Sequence, residues 1–372
     1  MNKLMGMIKS SSNTRPYGPL LNSRPDYMLP FGARYRVIDI TLSNFSEHGI
    51  TKVLLHGGEN IRSTLDHVGN GKHWEMDKRQ DGLVIDTPSR DEIDSRHGRI
   101  TSYYNALPFF NEAKHTDIYI ANPMIVSRIN ITDAYNHFLE NNYDAMFLYR
   151  RQEDVDGRYL NTRKIIFDNN GKVQNIGTHL GTEKIFNLFM DHVIIKKEVF
   201  TKIITEAEET DNAETLSQAI MLNKDKINIG TYEIKTHVEY IKDLESFYRA
   251  NLHLLNEGIY ADLFLLGAGI LTKNKDEPST MYKEGNKITN CIVANGCILA
   301  GEVSDSVLFR GVKVKKGAIV RNSVLFEGVE IEEGAIVVNS IIDKNSIIKK
   351  DVFIQGTLNN PYVVPKNVVM EN

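Results

Sequence analysis

The sequence predicts an α/β domain, built on a mostly parallel sheet with helices on both faces, followed by a left-handed parallel β-helix. Two features carry this prediction. Up to about residue 256, short apolar runs of strand length alternate with segments of helical spacing, as expected of a sheet with crossover helices. From about Ile288 the pattern becomes a repeat. Ser306–Asn322 (SVLFRGVKVKKGAIVRN) is followed directly by Ser323–Asn339 (SVLFEGVEIEEGAIVVN), a period of 17 residues. Each such coil buries its inward aliphatic residues only by stacking on its neighbours. The expected organisation is a first domain over 1–256, a connector over 257–287 and a β-helix over 288–372.

Each element has a local reason. Leu4 to Ile8 and Lys52 to Leu55 are short apolar runs and read as buried strands, as do Asp117 to Ala121 and Ala145 to Tyr149. Ile61 to Val68, Ser102 to Phe110 and Ile131 to Asn141 have apolar residues at helical spacing. Lys164 to Phe167, Val173 to Ile176 and Ile227 to Tyr232 predict a later antiparallel section. Asp243 to Asn256 predicts an amphipathic helix. Ligands of open α/β sheets bind beyond the carboxyl ends of the strands, so Lys9 to Arg15 and Asn122-Pro123 should lie at the mouth of any site. In the repeat, Asn290 to Val293 opens an earlier copy and Ser340-Ile341-Ile342 a later, weaker one.

Composition removes several classes of function. The chain has 372 residues, of which 25% are charged and 41% apolar, with a formal net charge of −4. This balance argues against a nucleic-acid partner. No apolar run approaches the roughly 20 residues that span a bilayer, and the N-terminus enters a strand pattern without a signal-peptide core. A cytoplasmic protein is the expectation. The two cysteines, Cys291 and Cys297, lack further ligands for zinc nearby and read as buried free thiols.

Pro30-Phe31-Gly32-Ala33-Arg34-Tyr35-Arg36-Val37-Ile38-Asp39 continues to Ile40-Thr41-Leu42-Ser43-Asn44. This block resembles the start of ADP-glucose pyrophosphorylases (glucose-1-phosphate adenylyltransferases), which typically reads PFGGKYRIIDFPLSN. The order of motifs extends the resemblance over nearly the whole chain. Ile61 to Val68 is similar to the family's SLxxHI segment, with Gly69 and Trp74 following. Gly98 to Asn105 stands in the place of GTADAxYQN, which contacts adenine and ribose in active members. Without the resemblance, that segment reads as a helix start capped near Thr101. The implied fold is nucleotidyltransferase-like (Rossmann-like).

The departures from the family pattern matter more than the matches. The loop after the first strand resembles GGxGTRL in active members, whose glycines let backbone N–H groups reach the nucleotide phosphates. Here Thr14 and Arg15 remain, while Ser11 stands among positions where glycines are missing. Active members hold Mg²⁺ with an aspartate in a segment like LSGDHIYKMDY. Here Pro123 falls at that position and Asn122 precedes it; proline has no carboxylate. The family's sugar-phosphate lysine is replaced by His179, read either as part-time charge or as an ordinary surface histidine. Asp243 matches the aspartate of YWRDVGT but has lost the following Val-Gly-Thr, which leaves the role of a helix N-cap. The reaction concentrates negative charge and needs a metal and cations. Three losses on three functions therefore make autonomous catalysis improbable.

The resemblance thus points to the non-catalytic, GlgD-type regulatory subunits. It implies a hetero-oligomer, expected as a heterotetramer with a catalytic paralogue that would carry the Mg²⁺, or a homo-oligomer when the chain is alone. No cofactor is assigned to this chain. Arg15, Arg24, Arg34 and Arg36 are candidates for an anionic effector, a role that suits the forked guanidinium. Thr14, Gly98, Asn122 and Asp243 are candidates for a residual nucleotide or sugar site. Two alternatives stand beside this reading. One is a weak or altered nucleotidyltransferase using Lys9, Arg15 and Asn122. The other is a β-helix acyltransferase or a pure scaffold; no histidine follows His253 to serve an acyltransferase.

Overall fold

The computed structural model describes residues 3–10, 17–57, 60–87 and 98–371. The chain forms two compact units from interleaved stretches. The first comprises Met1–Ser11, Thr41–Glu59 and Val68–Val238; the second comprises Ser12–Ile40, Asn60–His67 and Glu239–Asn372. No helix among the described residues is long and apolar enough to cross a membrane.

The first unit is built on a nine-stranded sheet. Leu4–Ile8 pairs in parallel with Val53–His56 on one side and Asp117–Ala121 on the other, and Leu83–Asp86 extends the parallel part. Ile185–Lys196 then pairs antiparallel with Asp117–Ala121, with Ala145–Glu153 and with Arg163–Phe167. Val173–Thr178 closes that edge, antiparallel to Arg163–Phe167. The sheet is therefore mixed, parallel from Asp117–Ala121 out to the edge at Leu83–Asp86. Ile229–Glu233, expected in the antiparallel section, instead runs parallel to Ala145–Glu153.

Alternation along the strands supplies both faces. Met5, Met7, Ile118 and Ile120 point into a core with Ile100, Phe110, Phe200, Ile203, Leu216 and Ile220 from the covering helices. Gly6 and Tyr119 face the other way, towards Phe45. The Phe45 ring lies 2.4 Å from where a Cβ on Gly6 would sit, and its centroid is 5.5 Å from that of Tyr119. The helix expected from Ser102 begins earlier, as Gly98–Asn105, and a second follows at Leu107–Glu112. Thr101 lies inside the first and donates to both carboxylate oxygens of Glu208 at 3.1 Å, so it is not the cap.

The second unit contains the left-handed β-helix. Its strands form six- and eight-stranded parallel ladders, with Val320 opposite Val303 and Val337. The interior is a column of valine, isoleucine, leucine and alanine. Cys297 is buried in it and Cys291 partly so, both as free thiols. Of the stretch 257–287, Glu257–Tyr260 is helical, Ala261–Leu265 is a π-helical turn and Met281–Tyr282 pairs with Ile298–Leu299 as an outer rung.

One corner of the coil has its own chemistry. Asp305, Asn322 and Asn339 adopt φ of 49°, 45° and 47°, the left-handed region that Asn and Asp tolerate best after glycine. Each turns the following serine inward. Ser306, Ser323 and Ser340 are fully buried. The Ser306 hydroxyl accepts from the Ser323 N–H at 3.0 Å, and the Ser323 hydroxyl accepts from the Ser340 N–H at 3.2 Å. Each hydroxyl also donates to the carbonyl two residues back. Ser323→Ala strands the Ser340 N–H in a dry interior. We expect a loss of about 1–3 kcal/mol, read as a lower urea midpoint with an unchanged slope.

Candidate functional site

Each unit carries a polar concavity. In the first unit, parallel pairing sets Ile8 beside Ala121, which brings Lys9 and Asn122 to the same edge. They line a small cavity together with Ser10, Tyr103, Arg163, Phe189, Asp191, Thr215 and Ser217. The Lys9 ammonium lies 5.1 Å from the Tyr103 ring centroid. Arg163 donates to the Ser217 hydroxyl at 2.6 Å, forms an ion pair with Asp191, and its guanidinium stands 4.9 Å from the Phe189 ring centroid.

Asn122 is buried, and its Oδ1 accepts from the Met124 N–H at 3.0 Å. Its carbonyl accepts from Nε2 of His192 at 3.2 Å, while Nδ1 of His192 lies 2.7 Å from the Tyr119 hydroxyl. Burial holds the His192 imidazole neutral, down to about 4. The neutral ring can therefore donate at Nε2 and accept at Nδ1. This chain fixes the turn after the strand, and it commits the Asn122 side-chain oxygen to that turn. Pro123 is buried and does not line the cavity.

A Mg²⁺ site built by protein is normally anchored by one or two free carboxylates. The carboxylate lining this cavity, Asp191, is taken by Arg163. Among the described residues no three His, Cys, Asp or Glu side chains gather as a metal-ligating group. Among the described residues, the donors lining this cavity do not fit the metal.

His179 is elsewhere. It is fully buried rather than at the surface: its ring stacks on Phe186 at 3.8 Å, and Nε2 lies 3.1 Å from Asp154. It does not line the cavity. Gly98 starts its helix. Ser11, Thr14 and Arg15 lie outside the described residues.

The second unit has a small cationic cleft, lined in part by Arg34, Arg36, Lys273, Lys275, Arg310 and Lys344. A short hairpin pairing Phe31 with Tyr35 presents the first two. Its turn places Gly32 and Ala33 at φ of 59° and 64°, so Ala33 holds a conformation that glycine would hold without strain. Beneath the hairpin, Asp39 is fully buried. It accepts from the Arg36 N–H at 3.0 Å and the Thr272 hydroxyl at 2.6 Å, and Nε2 of His67 lies 2.7 Å from its other oxygen. The Arg36 guanidinium donates to the Met28 carbonyl at 2.8 Å.

The cleft's cations burden one another. Burial and the neighbouring Arg24 push Arg36 down to about 10. Burial and Arg36 push Lys344 down to about 8. Glu327 lies between Lys275 and Lys344, 2.7 Å from the latter. Burial would raise its carboxyl, but Lys344 and Lys275 outweigh that and hold it at about 2.

Arg34 and Arg36 are thus brought together, whereas Arg24 does not line the cleft. It donates to both oxygens of Asp343 at 2.8 and 2.9 Å, with both side chains buried. Asp243 is the N-cap of the helix Leu244–His253, accepting from the Ser246 N–H at 2.8 Å in a capping box. Sequence reasoning missed Arg163, Asp191, Lys273, Lys275, Arg310, Glu327 and Lys344. A signal existed for three of these: Arg310, Glu327 and Lys344 occupy the same place in successive 17-residue repeats.

Asp343→Ala leaves the Arg24 guanidinium buried without its counter-ion. We expect a loss of about 3–5 kcal/mol. Arg24→Met combined with Asp343→Leu should recover most of it, as measured by urea unfolding.

Comparison with known proteins agrees with this architecture. The family described as GlmU-like, C-terminal hexapeptide matches residues 278–359. The chain is 30% identical over 371 residues to the glycogen biosynthesis protein GlgD of Geobacillus stearothermophilus, covering 99% of this chain and 97% of that protein. It is 28% identical over 369 residues to GlgD of Bacillus subtilis, covering 99% and 97%. It is also 28% identical over 357 residues to a glucose-1-phosphate adenylyltransferase of Clostridium beijerinckii, covering 94% and 92%. A nucleotidyltransferase-like sheet followed by a hexapeptide β-helix, matched from end to end, makes this chain a GlgD-like member of the ADP-glucose pyrophosphorylase family.

Proposed function

We propose that this chain acts in glycogen biosynthesis as a regulatory, non-catalytic subunit of glucose-1-phosphate adenylyltransferase, in the cytoplasm, through association with a catalytic paralogue. One observation carries the reading. At the strand end where the family's metal aspartate is expected, the chain has Asn122-Pro123, and the Asn122 oxygen is bonded into its own turn. A proline and a committed amide supply neither charge nor free ligand for a phosphoryl-transfer transition state. Mg²⁺ and the chemistry then belong to the paralogue. A subunit that binds one conformation of its partner more tightly must change that partner's ligand affinities by linkage; typical couplings are about 1–3 kcal/mol, or about 5–150-fold.

The assay is ADP-glucose formation from ATP and glucose 1-phosphate by this chain, by the paralogue and by their mixture, with the mass of each species measured. We expect background turnover alone, a hetero-oligomer in the mixture, and an altered kcat, KM or effector response. Turnover by the isolated chain at ordinary enzyme rates, about 1–10³ s⁻¹, or failure to associate at micromolar concentration, overturns the proposal.

The same reading gives the second unit's cleft an anionic effector, with Arg34, Arg36, Arg310 and Lys344 as its ligands. Lys344 titrates near 8 in the folded chain and near its ordinary 10.5 when unfolded. Between these values the unfolded chain holds the extra proton, so the residue opposes folding fully below pH 8 and less as pH rises towards 10.5. A bound anion removes that penalty where Lys344 is charged. We expect inorganic phosphate to raise the melting temperature more at pH 7 than at pH 9, and Lys344→Met to flatten the difference.

A further inference from the structure

The cavity of the first unit contains an anion that the chain itself provides. Its lining is rich in donors: Lys9, Arg163, and the hydroxyls of Ser10, Thr215 and Ser217, between the rings of Tyr103 and Phe189. Among these residues a single carboxylate enters, that of Asp191, on the Arg163 guanidinium. Its side chain is 8% exposed, against 31% for Arg163. An ionised carboxylate so deeply placed requires a partner.

The backbone is bent to deliver it. Asp191 lies where the pairing of Ile185–Lys196 with Ala145–Glu153 slips, between Phe189 and His192. Bulges of this kind re-aim a side chain. Asp191 also holds φ of 53°, in the left-handed region that aspartate tolerates. The ion pair to Arg163, and the Ser217 hydroxyl at 2.6 Å from Arg163, hold its side chain there.

Carboxylates and phosphates compete for the same guanidinium donors, and Nη2 of Arg163 is already set on Oδ1 of Asp191. We propose that Asp191 is a tethered anion occupying the phosphate-binding position of this cavity, and that a small phosphate monoester enters only when its charge is removed. The tether closes a site whose cations are intact. This inference rests on the cavity and not on the partnership proposed above; it is read by ligand binding, so either can fail alone.

The test is calorimetric titration of the full chain at pH 7 with glucose 1-phosphate and, separately, with inorganic phosphate. Asp191→Gly relieves the backbone and removes the charge. Asp191→Asn removes the charge and keeps the shape, which covers the case in which the glycine variant misfolds. Melting curves establish that each variant is folded. We expect both variants to bind glucose 1-phosphate at least tenfold more tightly than the unaltered chain, and Arg163→Ala added to either to abolish the gain. Equal affinity in the unaltered chain overturns the proposal, as does no gain in a folded variant. Failure of both variants to fold also overturns it, by making Asp191 a structural residue. A gain for inorganic phosphate without one for the ester overturns the ester assignment.

Discussion

In-register parallel pairing is the constraint on which both units depend. Two parallel strands hold equivalent residues side by side for as long as the register lasts, so their ends arrive at one edge together. In the first unit this brings Ile8 against Ala121 and leaves Lys9 and Asn122 as neighbours across a cavity. In the second unit it stacks one coil on the next, with Val307 on Val324 and Leu308 on Leu325. Whatever follows those pairs is stacked as well. Phe309 and Phe326 meet with centroids 5.2 Å apart, and Arg310, Glu327 and Lys344 form a charged column on the wall of the cleft.

That column explains how cations can crowd without an external ligand. Glu327 comes between two basic residues because the repeat places it there, and it bonds Lys344 and Lys275. Burial works against the remaining positive charge, and backbone acceptors ease it, as the Arg36 bond to the Met28 carbonyl illustrates. Asp39, beneath, is bonded to Arg36, Thr272 and His67, and its charge favours the protonated forms of Arg36 and Arg310.

The sequence made the architecture legible because periodicity is a local property. Strand length, helical spacing and a 17-residue repeat can each be read without knowing what touches what. Individual positions were less accessible. Asp243 was readable as an N-cap because capping is set by residues a few places apart, and Ser246 completes the box. Of the two readings of His179, the surface histidine fails because its burial depends on Phe186 and Asp154, which no local pattern announces. The parallel course of Ile229–Glu233 likewise depends on a distant partner. The Arg163–Asp191 pair was invisible for the same reason, joining a strand to a bulge on its neighbour. The charged column was there to be found, had the repeat been used as a ruler for its outward residues as well as its apolar ones.

The serine corner of the β-helix governs how this chain can change in length. The Ser306 and Ser323 hydroxyls each serve the next coil's N–H, so a residue gained or lost within those coils would shift every later coil against the one before. Two coils depart from 17 at this corner: Asn290 meets Asp305 across 15 residues, and Ser340 pairs with Tyr362, 22 residues on. The extra chain around Leu358 and Asn359 leaves at a corner, exposed, and the ladder resumes with Ile341 opposite Val363. Insertions and deletions in this half of the molecule should therefore occur as whole coils or as loops at corners, and the repeat number becomes a heritable unit of size.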